Sequence, residues 1–291
     1  MIRHFDLHLP HGVHLACRAA GTQGPRVLLL HGFPEAAFVW DDVMLALAPQ
    51  ARCVAPNLRG YAGSSAPADV AAYRPRHLVA DVAAAIEALG APVDVLVAHD
   101  WGGAVAWNLA AQRPDLLKRL VMINSPHPAT FLHALRHDAA QQAASAYMTF
   151  LCRPDAEVLL AEDDFRRLWP FFGDAAWLTP AVRDQYRAAW SRGLTGPVNY
   201  YRASPLRPAT GPGDLLHTLE LPDASVTVRV PTTLLWGAQD KALLPVLLQG
   251  LERWVPQLDL RHVPEATHWM VHEQPQRVVA AVQAALQAAR V

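Results

Sequence analysis

Apolar positions along the chain follow two rhythms. Residues 2–9 and 12–19 alternate loosely between polar and apolar and are separated by Pro10-His11-Gly12, which predicts an antiparallel hairpin. Leu258–Val263 reads as a last strand, and short, nearly continuous apolar runs stand at Arg26–Leu30, Arg52–Pro56, Val95–Val97, Arg119–Ile123 and Pro231–Trp236. Runs of that length predict strands buried on both faces. Three- and four-residue spacing between them predicts helices over 37–48, over 76–89, after Trp101, around 243–252 and over 274–289. In 76–89 one face carries Leu78, Val82, Ala85, Ile86 and Leu89, and Gly90 stands just beyond the end. Strands alternating with helices in this way imply an α/β fold, a mostly parallel doubly wound sheet with helices on both faces.

The rhythm breaks at Asn124-Ser-Pro-His-Pro128. From there to about residue 215 no buried β-run occurs, but aromatics and prolines abound, among them Tyr147, Phe150, Trp169, Trp177, Tyr186 and Trp190. The expectation is a core of residues 1–127 and 216–291, interrupted by a helical cap over 128–215.

Composition narrows the picture. The chain of 291 residues is 52% hydrophobic and 18% charged, so a packed core is within reach and disorder is not expected. A net charge of −1 without a basic run argues against a nucleic-acid partner or an anionic membrane surface. Three widely spaced cysteines make neither a disulfide framework nor a zinc site, and the fourteen histidines are scattered. No metal or organic cofactor is expected. A polar N-terminus and the lack of an 18-residue apolar run lead to the expectation of a cytoplasmic protein without a membrane span, monomeric or a homodimer.

The stretch richest in chemistry is Asp94-Val-Leu-Val-Ala-His-Asp-Trp-Gly-Gly103. A strand runs into a helix here, with Ala98, Gly102 and Gly103 flanking Asp100. Small residues at those positions suit a sharp turn that lifts the central side chain off the sheet. Asp100 would then be a nucleophile; the competing reading is an Asp that caps the next helix. A nucleophile needs a base and a partner to orient the base. Asp240 and His268 both fall just after predicted strands, where doubly wound sheets gather functional groups. His262 and His272 are rivals for the base. The alternative acid position after Ile123 holds Asn124 and Ser125, neither a carboxylate.

The chain resembles the α/β-hydrolase superfamily, and within it the epoxide hydrolases. The resemblance spans nearly the whole length. It rests on the ordered set His31-Gly-Phe-Pro34, Arg59-Gly-Tyr-Ala-Gly-Ser-Ser65, His99-Asp-Trp-Gly-Gly103, Trp236-Gly-Ala-Gln-Asp240 and Thr267-His-Trp269. It implies Asp100 as nucleophile, His268 as base, Asp240 as its partner, and an oxyanion hole from the backbone N–H groups of Phe33 and Trp101. It also implies a cis peptide before Pro34. His31, Pro34, Trp101 and Phe150 are the candidates for contact with substrate.

The resemblance further implies two tyrosines in the cap that hydrogen-bond the epoxide oxygen. Asn199-Tyr-Tyr-Arg202 matches one such segment and selects Tyr201, and Tyr147 with Phe150 three residues on resembles the other. Tyr200 is the rival of Tyr201. On a helix the two point about 100° apart, so only one can face the nucleophile. Haloalkane and haloacetate dehalogenases share the elbow Asp and remain the alternative. The former resemblance lacks a turn Asn at Phe33, and the latter lacks arginines after Asp100. A binding protein of the same fold commonly loses a triad member, and this chain keeps all three. The expected partners are a small apolar epoxide and water.

Overall fold

The computed structural model describes residues 1–290. Eight strands form one sheet: β1 (Arg3–His8), β2 (His14–Ala20), β3 (Arg26–Leu30), β4 (Arg52–Pro56), β5 (Val93–His99), β6 (Leu117–Ile123), β7 (Thr232–Gly237) and β8 (Leu258–Val263). Their order is β1-β2-β4-β3-β5-β6-β7-β8. β1 and β2 form the expected antiparallel hairpin, β2 also runs antiparallel to β4, and the remaining pairs are parallel.

Side chains alternate across each strand, so the apolar runs feed two cores. On one face, Leu28, Leu30, Leu96, Ala98, Leu120 and Met122 pack under α2 (Pro75–Gly90) and α3 (Asp100–Gln112). On the other, Val27, Leu29, Val95, Val97, Val121 and Ile123 pack under α1 (Asp41–Leu47) and the closing helix (Pro275–Ala288). The expected α/β-hydrolase architecture, a mostly parallel sheet wound on both faces, is present.

The chain leaves the sheet after β6 and re-enters it at β7. In between it forms α4 (Pro128–His137), α5 (Ala139–Ala144), α6 (Tyr147–Leu151), α7 (Ala156–Phe165), α8 (Pro180–Trp190), α9 (Thr195–Ala203) and the single turn α10 (Asp223–Val226). No strand lies in this segment among the described residues. α11 (Met270–Glu273) and α12 (Pro275–Ala288) close the chain.

One expected helix is absent. Residues 243–252 form two 3-10 turns, Pro245–Leu248 and Leu251–Arg253. Pro245 has no N–H to give to an earlier turn, and Gly250 at φ +71° reverses the backbone between the two pieces. No helix among the described residues is long and apolar enough to cross a membrane.

Candidate active site

Asp100 sits where β5 passes into α3, with φ +49°, a region that a non-glycine residue enters only under constraint. Close backbone approach explains the flanking glycines. A Cβ on Gly102 would lie 2.5 Å from the His31 carbonyl oxygen, and one on Gly103 would lie 2.3 Å from the Ser125 side chain. Only glycines let α3 start this close to the ends of β3 and β6. The Asp100 side chain does not cap its helix. Its Oδ1 instead accepts the Phe33 backbone N–H at 2.6 Å. The Phe33–Pro34 peptide is cis, as the resemblance implied.

Asp240 and His268 come from the loops after β7 and β8. His268 Nδ1 lies 2.7 Å from Asp240 Oδ2, and its Nε2 faces Asp100 Oδ2 at 3.7 Å. Asp240 is buried and fully occupied. Oδ1 accepts the N–H groups of Ala242 and Leu243, and Oδ2 accepts the Asn124 amide at 2.8 Å. Burial alone would raise its carboxyl, but the charge and hydrogen bond of His268, with these donors, outweigh it and hold it low. For His268 burial opposes protonation, yet the Asp240 charge and hydrogen bond, then Asp100 and Glu35, push the imidazole up to about 9.

Two cavities meet at Asp100. The larger, about 370 Å³, is lined by Trp101, Val105, Phe131, Leu206 and Leu243 among others. The smaller, about 190 Å³, is lined by Phe33, Phe171, Asp240, His268 and Trp269 among others. Tyr147 from α6 and Tyr201 from α9 line both cavities with Asp100. Their rings meet edge-on at 6.1 Å. Burial, then neighbouring ionisable groups including Asp100, raise both phenols well above their ordinary range, so each keeps its proton and can donate it. Tyr200 also lines the larger cavity, but its hydroxyl is spent, donating to the Arg59 carbonyl at 2.9 Å.

A family profile described as the alpha/beta hydrolase fold matches residues 25–275. The chain belongs to the α/β-hydrolase superfamily. Its relatives place it in the epoxide hydrolase branch. It is 34% identical over 272 residues to the AB hydrolase superfamily protein YfhM of Bacillus subtilis, with 91% of each chain covered. It is 33% identical over 270 residues to Epoxide hydrolase 4 of Mus musculus, covering 88% of this chain and 72% of that protein. Among solved structures, an epoxide hydrolase of Bacillus megaterium in complex with an inhibitor superposes with a TM-score of 0.89 at 30% identity. That match covers 97% of this chain and all, 100%, of the other.

Within this hydrolase several candidates for contact with substrate lie outside both cavities. His31 is fully buried and lines neither cavity. Its Nδ1 pairs with the Gly32 carbonyl and its Nε2 accepts the Leu58 N–H, and burial lowers it to about 4. His31 therefore holds its turn as a neutral ring. Pro34 also lines neither cavity; its carbonyl accepts the Trp190 indole N–H at 2.6 Å. Phe150 packs against the core, and Met148 on the same helix lines the larger cavity in its place. The two lie on opposite flanks of Tyr147, about 60° one way and 100° the other, and the cavity is on the Met148 side. Of the substrate-contact candidates only Trp101 lines a cavity. His262 is exposed on β8, and His272 is engaged with Glu35 at 2.8 Å.

Sequence reasoning passed over Asn124 because it is not a carboxylate, and missed Glu35. Asn124 donates to Asp240, accepts the Gly237 N–H and sits at φ +38°, a polar side chain closing an apolar strand. Glu35 is a buried carboxylate within an otherwise apolar stretch, Ala36–Trp40 following it. In both cases the signal available was one polar residue where the pattern calls for apolar ones.

Proposed function

We propose that this hydrolase opens an epoxide to a vicinal diol through an ester on Asp100. The observation that carries the proposal is the setting of Asp100. Its Oδ1 rests on the Phe33 N–H, its Oδ2 faces His268, and two protonated tyrosines line both cavities with it. Oδ2 is the oxygen left for attack on the less hindered ring carbon. Tyr147 and Tyr201 hydrogen-bond the epoxide oxygen as it becomes an alkoxide and supply its proton. A carboxylate is a poor acyl-transfer nucleophile but can displace a strained C–O bond.

In the second half-reaction His268 takes a proton from water, which attacks the Asp100 carboxyl carbon. The backbone N–H groups of Phe33 and Trp101 receive the oxyanion, which collapses by breaking the bond from the carboxyl carbon to the substrate oxygen. That oxygen takes the His268 proton and the diol leaves, and the proton left on Asp100 returns to the tyrosine that gave its own. Forming the ester removes the Asp100 charge, one of the causes that hold His268 high, so the imidazole gives up its proton more readily when a base is needed. The helical insertion acts as a cap that shuts the reaction away from bulk water. The relatives named epoxide hydrolases support this reading.

The test is a trapped intermediate. His268→Gln mixed with styrene oxide should gain the whole substrate mass, and peptide mapping should place the adduct on Asp100. A haloalkane adduct formed with loss of hydrogen halide, and none from epoxides, would make the enzyme a dehalogenase. In heavy-oxygen water a single wild-type turnover should label Asp100 rather than the diol; label in the diol would make Asp100 a base.

A further inference from the structure

Behind His268 lies a buried polar cluster that neither cavity reaches. At its centre is Glu35, fully buried and directly after the cis Phe33–Pro34 turn. Three side chains converge on its carboxylate. The Tyr186 hydroxyl from α8 donates to Oε1 at 2.8 Å, His272 Nε2 from α11 approaches Oε1 at 2.8 Å, and His99 Nδ1 approaches Oε2 at 3.1 Å. His99 Nε2 faces the backbone carbonyl of His268 at 2.9 Å. A carbonyl only accepts, so Nε2 donates to it. The Tyr186 hydroxyl also lies 3.0 Å from His272 Nε2. Burial would raise the Glu35 carboxyl, but the hydrogen bonds from His272 and His99 outweigh it and hold it well below the usual range.

The same contacts join the helical insertion to the His268 loop. Tyr186 belongs to the insertion and His272 lies four residues past His268. The Trp177 ring, also from the insertion, stacks on His272 at 4.0 Å with 6° between planes. Trp269, next to the base, donates its indole N–H to the Phe171 carbonyl of the insertion at 2.9 Å. The loop carrying His268 is thus held at its own carbonyl, one residue on, and four residues on, and two of the three holds depend on the insertion.

The geometry points to Tyr186 and His272 as positioning residues: through Glu35 they fasten the insertion to the His268 loop and align the base for attack by water. Neither lines a cavity, so neither touches substrate. The kinetic part of this inference rests on the ester mechanism above.

Tyr186→Phe removes one donor and keeps the ring. His272→Leu removes another, and His272→Gln returns an N–H to Glu35. In single-turnover kinetics with styrene oxide, the first two variants should slow ester hydrolysis about 5- to 20-fold, below the roughly 10²-fold that an ångström of misplacement costs. Ester formation should stay within about twofold. His272→Gln should recover most of the hydrolysis rate. Amide exchange over residues 266–273 of the substrate-free protein should quicken in Tyr186→Phe and His272→Leu, a readout that needs no epoxide. Unchanged exchange and an unchanged ratio of the two half-reactions, beside a lower melting temperature, would reduce the cluster to structural glue and overturn the inference. Absence of any ester on the wild-type enzyme would instead overturn the mechanism, and exchange over 266–273 would then decide the positioning role alone.

Discussion

At the scale of single residues, the site separates neighbours that the sequence leaves equivalent. Tyr200 and Tyr201 are both buried and both line the larger cavity, but the Tyr200 hydroxyl is spent on the Arg59 carbonyl, while Tyr201 lines the smaller cavity as well. Tyr201→Phe should therefore slow ester formation by about 10- to 100-fold, the loss expected of one proton donor when its partner remains. Tyr200→Phe should leave that step nearly unchanged and instead lower stability by about 1 kcal/mol for the lost hydrogen bond. Stopped-flow tryptophan fluorescence and denaturant titration read the two effects. His268 gives a second prediction with a defined sign. Its folded pKa of about 9 lies above the ordinary 6.5, so its protonation stabilises the fold. That stabilisation is complete below about 6.5 and is lost as pH rises through about 9. The melting temperature of wild type minus that of His268→Gln should fall across this window. On the proposed ester mechanism the sign reverses for turnover, because only the neutral imidazole accepts a proton from water. The rate limited by ester hydrolysis should rise with pH along a limb centred below about 9, since the ester has removed the Asp100 charge.

At the scale of elements, the turn from β5 to α3 concentrates the constraint. The positive φ of Asp100 is held because α3 is pressed against the ends of β3 and β6 through Gly102 and Gly103. The Ser125 hydroxyl donates to the Asp100 carbonyl at 2.8 Å and fixes the turn from the other side. A methyl group at Gly102 would meet the carbonyl oxygens of Leu30 and His31, which are backbone and cannot swing away. Gly102→Ala should cost about 1–3 kcal/mol in chemical denaturation, as overpacking does, and should reduce ester formation in the protein that remains folded. Full stability together with full activity would show that α3 can retreat from the sheet. The elements also show where pattern reading fails. Residues 243–252 carry helix-like spacing, but Pro245 and the left-handed Gly250 confine hydrogen bonding to two short turns.

At the scale of the molecule, the insertion supplies half of the site. It contributes Tyr147 and Tyr201, walls of both cavities, and the Tyr186 contact to Glu35. The larger cavity is mostly apolar and reaches Leu206 beyond α9. An arylated epoxide would lay its ring there with its oxirane at Asp100. Leu206→Trp should therefore raise KM for styrene oxide several-fold while changing turnover of propylene oxide little, since a methyl group needs none of that space. Equal effects on both substrates would place the aryl group in the smaller cavity.

What the sequence determined by itself is what local pattern and short motifs encode. Apolar runs of three to six residues between amphipathic helices dictate a parallel sheet covered on both faces, because such strands have no polar side to show to water. Ala98, Gly102 and Gly103 around Asp100 announce a tight turn, and the positions of Asp240 and His268 after strands announce loops on one edge of the sheet. Tertiary structure alone decided which polar residues those loops leave facing one another. Asn124 meets Asp240 across 116 positions, Glu35 meets His272 across 237, and His31 turns away from the cavity to hold the Leu58 N–H. No periodicity records such pairings, since they depend on the sheet order and on how the insertion settles, and a buried carboxylate or imidazole takes whichever partner satisfies it there.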